Sequence, residues 1–307
     1  VSGIAAAAGG NSLGFVGAGG KTVIYGYRVF PTPDDNCAND NNNDPQCSAD
    51  TADIAAAIED AIAQHVNVIS MSLGGGGCSG GVDSDPTEGA AIQEAINANI
   101  IVVAAAGNSY ANSLDAPACD TGVIAVGATS LDDGSTTGTT GSYSRNVTGA
   151  SPSNPVEYVA SYSQYGGAAN FRNASAWGIV APGGDPAASE QTGAVDDLHW
   201  IENIWTSTPY QSSSNDNNFT GNCTTDYAAT GSTIDCRTLI AGTSMATPHV
   251  AGAAALILAV NGSYQSPTAM KSLLCSTADD LGDSHEGCGR LNVYRAMATA
   301  LGDMSPP

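Results

Sequence analysis

The chain carries short apolar runs separated by stretches with helical spacing. Thr22–Phe30, Val66–Leu73, Ile100–Ala105, Gly122–Ala128 and Trp177–Val180 read as strands. The run Ile-Ile-Val-Val-Ala-Ala from Ile100 is apolar at every position rather than at alternate ones. Continuous apolarity of that kind predicts parallel strands covered on both faces. Between the strands, Thr51–Gln64 places Ile54, Ile58 and Ile62 on one helical face, and Thr87–Asn99 repeats the pattern with Ile92 and Ile96. Strand and helix alternate at a spacing that predicts right-handed crossovers in a parallel sheet.

The predicted strands end in glycine-rich turns: Leu73-Gly74-Gly75-Gly76-Gly77, Ala106-Gly107-Asn108 and Ala181-Pro182-Gly183-Gly184. Sites in open parallel sheets form at the carboxyl ends of strands. Three polar stretches read as surface insertions, near 31–50, 130–176 and 207–238. No internal repeat and no linker between separate domains is visible, so residues 1–307 are expected to form one domain.

The most informative stretch is Gly242-Thr243-Ser244-Met245-Ala246-Thr247-Pro248-His249-Val250-Ala251-Gly252. A glycine turn delivers Ser244 to the start of a helix that is apolar on every side and should be buried. The helix start supplies positive potential and free N–H groups. Pro248 has no N–H to offer the Ser244 carbonyl four residues back. Ser244 is therefore either a nucleophile or a helix cap.

Composition narrows the functional classes. Lys+Arg is 8 against Asp+Glu 30, for a formal net charge of −22. Such a chain lacks the basic footprint that nucleic-acid binding or docking on an anionic membrane requires. No stretch reaches the roughly 20 apolar residues needed to cross a bilayer. The acidity fits solubility in a harsh or salty medium first, and is compatible with hard-cation sites. Eight cysteines without a C-x-x-C spacing point to disulfides and an oxidising compartment. They allow many connectivities. Sequence proximity suggests Cys37–Cys47, Cys223–Cys236 and Cys275–Cys288, which leaves Cys78 with Cys119.

Taken whole, GTSMATPHVAG resembles the nucleophile motif of the subtilisin-like serine proteases, the subtilases. SMSLGG (Ser70–Gly75) resembles the strand of that family that lines the substrate. AAAGN (Ala104–Asn108) resembles the segment that supplies its oxyanion asparagine. VIAVGA, VAPGG and GRLNVYRA match further landmarks in order. The resemblance implies a three-layer α/β fold with a mostly parallel central sheet flanked by helices. It implies a hydrolase with Ser244 as the acylated nucleophile and Asn108 as oxyanion donor. Ser72, Leu73 and Gly74 would pair with the substrate backbone, and Ala104, Ala105, Ala106 and Gly107 would wall a roomy apolar pocket. No cofactor is implied for catalysis.

A serine nucleophile needs a base and an orienter. The family draws them from an H-G-T-H motif and an Asp-Thr-Gly or Asp-Ser-Gly motif, and neither is present. The opening Val-Ser-Gly-Ile-Ala-Ala-Ala resembles the family's residues directly after H-G-T-H. The chain is thus expected to lack an N-terminal segment carrying Asp, His and a central strand, which a nicked fragment or an upstream part would supply. His65, His199, His249 and His285 have other contexts, and Asp120 and Asp185 do not match the Asp motif. Asp34, Asp35, Asp40 and Asp44 offer oxygen ligands for a structural calcium, or form a plain solvated loop. The expectation is a secreted, extracellular endopeptidase acting on protein or peptide substrates, with this chain alone inactive. A non-catalytic subtilase-like scaffold and an acyl transferase or esterase on the same serine are the alternatives.

Overall fold

The computed structural model describes residues 1–7, 9, 16–30, 48–132, 150–151, 153–185, 201–206 and 235–302. Within 202–206 and 235–239 only the backbone is described. The elements in chain order are α1 (Ser2–Ala6), α2 (Thr51–Ala63), β1 (Val68–Met71), β2 (Cys78–Ser79), β3 (Val82–Asp83), α3 (Pro86–Asn97), β4 (Ile101–Ala105), β5 (Ile124–Asp132), β6 (Val156–Val159), β7 (Gly178–Pro182), β8 (Ile201–Thr206), β9 (Asp235–Ile240), α4 (Thr243–Val260), α5 (Pro267–Ser276) and α6 (Val293–Ala300).

Helices α2, α3, α5 and α6 start where side-chain chemistry provides a cap. Asp50 accepts from the Ala52 N–H ahead of α2, and Asp85 accepts from the Thr87 and Glu88 N–H groups ahead of α3. Ser266 and Asn292 do the same for α5 and α6. These bonds satisfy donors that the first helical turn cannot pair internally. Helix α4 differs: Gly242 precedes it and no side chain of that residue caps it.

Strands β1, β4, β5 and β7 run parallel, and β6 joins the far end of β5 antiparallel. Strand β4 explains the three layers. Ile101 and Val103 enter one core with Ile124, Val126 and Ile179 of the sheet and Ala246, Val250, Ile257 and Leu274 of the helices. Val102 and Ala104 enter the opposite core with Ile54, Ile58 and Ile92. Successive strand side chains point to opposite faces, so apolarity at every position buries both. The fold is the expected three-layer arrangement.

Helix α4 is the one described helix long and apolar enough to cross a bilayer by length and composition. It packs instead against α1, α6, β1, β4, β5 and β7. Its all-round apolarity is that of a core helix.

Thr22–Phe30 departs from the expectation of a strand. It has no regular secondary structure and forms no ladder among the described residues. Val23, Ile24, Tyr25, Tyr27 and Phe30 are exposed. A strand exists only with a partner for its N–H and C=O groups, whatever its local β-propensity. β1 is an edge of its sheet, and its outer side also lacks a strand partner among the described residues.

Disulfides join Cys78 to Cys119 and Cys275 to Cys288. Of the other two suggested pairs, Cys37, Cys47 and Cys223 lie outside the described residues and only the backbone of Cys236 is described; 31–47, 133–149 and 207–234 of the expected insertions also lie outside. The stretch 130–176 supplies β6 and the buried residues Tyr158–Tyr162, so much of its described part belongs to the core.

Candidate active site

The site is assembled where β1 and β4 end against the start of α4. Gly242 has φ 152°, in the left-handed half of backbone space that favours glycine. Its N–H donates to the Gly183 carbonyl at 2.8 Å, which anchors the turn to the end of β7. The chain then enters α4, with Ser244 as its second residue.

Ser244 is not a cap. Its Oγ donates to the Ser72 carbonyl at 3.3 Å instead of accepting a helical N–H. Its own carbonyl accepts from the Ser72 hydroxyl at 2.7 Å. Pro248 is the cause. It removes the N–H that would have paired with that carbonyl, and Ser72 supplies the donor instead. The N–H of Ser244 lies in the first turn and has no intrahelical acceptor.

Asn108 follows β4 and is exposed. Its Oδ1 accepts from the Thr243 N–H at 2.9 Å and from Thr243 Oγ1 at 2.9 Å. A backbone N–H can only donate, so this contact assigns the amide orientation. Nδ2 has no hydrogen-bond partner among the described residues and lies beside the turn that delivers Ser244. A Cβ built on Gly242 would lie 3.7 Å from Nδ2. Fully buried Thr243 also accepts the Gly107 N–H on Oγ1 at 3.3 Å. Sequence reasoning missed Thr243 as a holder of Asn108, although it adjoins Ser244 in the motif.

Ser72 and Leu73 are half-buried and Gly74 is exposed, directly after β1. The Gly75 N–H donates to the Ala116 carbonyl at 3.0 Å. Ala104, Ala105, Ala106 and Gly107 are buried, and Ala104 belongs to the core beneath α2 and α3.

None of the described histidines hydrogen-bonds Ser244. His249 Nδ1 sits 2.9 Å from the Met245 carbonyl of its own helix, and burial lowers its pKa. His285 Nδ1 lies 3.1 Å from Asp283 and packs against Tyr110 and Tyr165. His65 is exposed just past α2, and His199 lies outside the described residues. Buried Asp120 accepts the Asp83 N–H, and buried Asp185 accepts from Ser161 and Tyr158. Neither orients a histidine in the contacts described. Asp34, Asp35, Asp40 and Asp44 lie outside the described residues. Among the described residues no group of three or more His, Cys, Asp or Glu is placed to hold a metal.

A serine in the first turn of a buried helix thus sits beside an asparagine amide whose acceptor end caps that helix at the Thr243 N–H. The subtilase family profile matches residues 1–289. The chain belongs to the subtilase family.

Individual subtilases are distant in sequence and cover nearly the whole chain. Thermitase of Thermoactinomyces vulgaris is 27% identical, over 96% of this chain and 72% of its own. Subtilisin Savinase of Lederbergia lenta is 26% identical, over 93% of this chain and 72% of its own. Halolysin of Haloferax mediterranei is 29% identical over 99% of this chain, which spans only 40% of it. The chain likewise spans about half the length of two alkaline proteases that it matches. Among solved structures, a protease of Pseudoalteromonas arctica superposes with a TM-score of 0.54 at 27% identity, over 83% of this chain and 60% of its own. A patellamide maturation protease shares the fold, with a TM-score of 0.52 at 24% identity, over 84% of this chain and 72% of its own.

Proposed function

We propose that the protein is a secreted serine endopeptidase that forms an acyl-enzyme on Ser244. The observation that carries this reading is the Asn108 carboxamide. Thr243 occupies its oxygen, and Nδ2 is left to donate at the turn holding Ser244. Membership of the subtilase family supports the same chemistry.

In the proposed reaction Ser244 Oγ attacks the scissile carbonyl of a peptide. Negative charge develops on its oxygen, where Asn108 Nδ2 and the Ser244 N–H donate. Donors fixed before reaction need no reorganisation as the charge forms, which is why such groups lower barriers. The base takes the Ser244 Oγ proton and gives it to the amine as the C–N bond breaks; water, giving a proton to the same base, then attacks the ester, and Ser244 regains that proton as the acid leaves. The substrate would lie as an added strand along Ser72, Leu73 and Gly74, with the side chain before the scissile bond directed toward Ala104–Gly107.

The base and its orienting carboxylate would come from polypeptide outside residues 1–307. The edge of β1, unpartnered among the described residues, and the exposed apolar stretch 22–30 support an additional strand beside them. Calcium at Asp34, Asp35, Asp40 or Asp44 would be structural and would take no part in the reaction. Two disulfides among the described residues support an oxidising, extracellular setting. A relative described as a cell wall-associated protease, from Bacillus subtilis, is consistent with that location.

The test is labelling of the native protein by a fluorophosphonate probe, with peptide mapping. Modification of Ser244, lost in Ser244→Ala, is expected. An intact native protein that leaves Ser244 unlabelled and cleaves no peptide would favour a non-catalytic binding scaffold.

A further inference from the structure

We infer that Gln164 is a positioning residue for the oxyanion donor Asn108; the inference rests on the endopeptidase reading above. Gln164 lies in a polar stretch with no motif around it, and it is 1% exposed. It brackets Asn108 from both sides in sequence. Its backbone N–H donates to the Gly107 carbonyl at 3.0 Å. Its side-chain Oε1 accepts the Ser109 N–H at 3.1 Å. The other end of the carboxamide is also spent: Nε2 donates to the Ser113 carbonyl and to Asp115 Oδ1, each at 2.9 Å. The partners fix the amide orientation, because Ser109 N–H can only donate and the Ser113 carbonyl can only accept.

The contact is close enough to dictate the neighbouring residue. Gly107 has φ 112°, and a Cβ there would overlap the Gln164 carboxamide and approach Asp115. Glycine therefore lets the loop lie directly on Gln164. Thr243 holds the side chain of Asn108 while Gln164 holds the backbone on either side of it. An exposed asparagine on a loop has no packing of its own to fix its donor. An oxyanion donor acts only when aimed where charge develops, and a misplacement near 1 Å can cost about 100-fold in rate.

A merely structural glutamine would also stabilise the loop, so the test must read the coupling to Asn108. Gln164→Leu removes the carboxamide and leaves the backbone bond to Gly107. Gln164→Asn keeps a carboxamide with both a donor and an acceptor end on a shorter stem, and covers the case in which the leucine variant fails to fold. Each is made in the native full-length protein and again with Asn108→Ala, and kcat and KM are measured on a fluorogenic peptide. In the otherwise unchanged protein, Gln164→Leu should lower kcat by roughly 10- to 100-fold with KM within about twofold. Gln164→Asn should lose less. With Asn108→Ala present, either change should cost under about twofold more, because the donor being aimed is gone. Equal losses in both backgrounds, or a loss carried by KM, would overturn the inference while leaving the endopeptidase reading intact. No turnover by the wild-type protein would overturn both.

Discussion

The exchange between Ser72 and Pro248 can be measured directly. Ser72→Ala removes the 2.7 Å bond to the Ser244 carbonyl. A net hydrogen bond is worth about 1 kcal/mol, and a carbonyl left unsatisfied in a buried site adds about 1–3 kcal/mol. Ser72 and Ser244 are only half-buried, so water recovers part of that second cost. The expected loss is about 1–2 kcal/mol. Pro248→Ala restores a main-chain N–H at the position that helical geometry pairs with the Ser244 carbonyl. In that background the same Ser72→Ala change should cost only about 0–0.5 kcal/mol, a coupling near 1 kcal/mol. Thermal unfolding by circular dichroism at one fixed scan rate is the assay. All four proteins carry Ser244→Ala, which prevents self-cleavage and preserves the carbonyl. For a chain of this size 1 kcal/mol corresponds to roughly 2–4 °C in Tm. Equal Tm losses in both backgrounds would refute the argument that Ser72 replaces the N–H that proline lacks.

Asn108→Ala should lower kcat by about 10²–10³, the size known for this donor in subtilisin itself, with little change in KM; peptide kinetics check it. Thr243→Val removes both hydroxyl bonds to the Asn108 loop and should lower kcat by roughly tenfold, again with KM unchanged. Burial, reinforced by Asp83, Asp85 and Asp120, pushes the Glu88 carboxyl up to about 7. Burial does the same for Glu286, with Asp280 and Asp283 adding and the Leu281 N–H opposing. The native state therefore holds protons that the unfolded chain releases near its ordinary value of 4.5, so stability falls as pH rises through about 7. Glu88→Gln and Glu286→Gln should each flatten the decline of Tm between pH 5 and pH 7; an unchanged slope in both would refute the assignment. Replacing Cys78 and Cys119 by Ser should cost roughly 2–4 kcal/mol in urea unfolding, because that bridge closes a long loop of the unfolded chain.

Much of the scaffold was legible in the local pattern. Helices α2 and α3 fall on the segments whose isoleucines share a face, and β4 on the run that is apolar throughout. That legibility is local physics: periodicity sets which side of an element can be buried, and capping residues set where it starts. The motif around Ser244 likewise carried its own evidence, because glycine, serine and proline at those spacings each constrain the backbone they belong to.

The working geometry was decided by contacts between distant parts of the chain. Ser72 and Ser244 are 172 residues apart, and Asn108 and Thr243 are 135 apart. No local pattern encodes such a pairing; it exists because both cores fix the ends of β1 and β4 against the start of α4. Gln164 was invisible for the same reason, since its meaning lies in the loop that folds over it. Thr22–Phe30 is the converse case. Its residues favour a strand, but a ladder needs a partner, and partnership is a property of the tertiary structure alone.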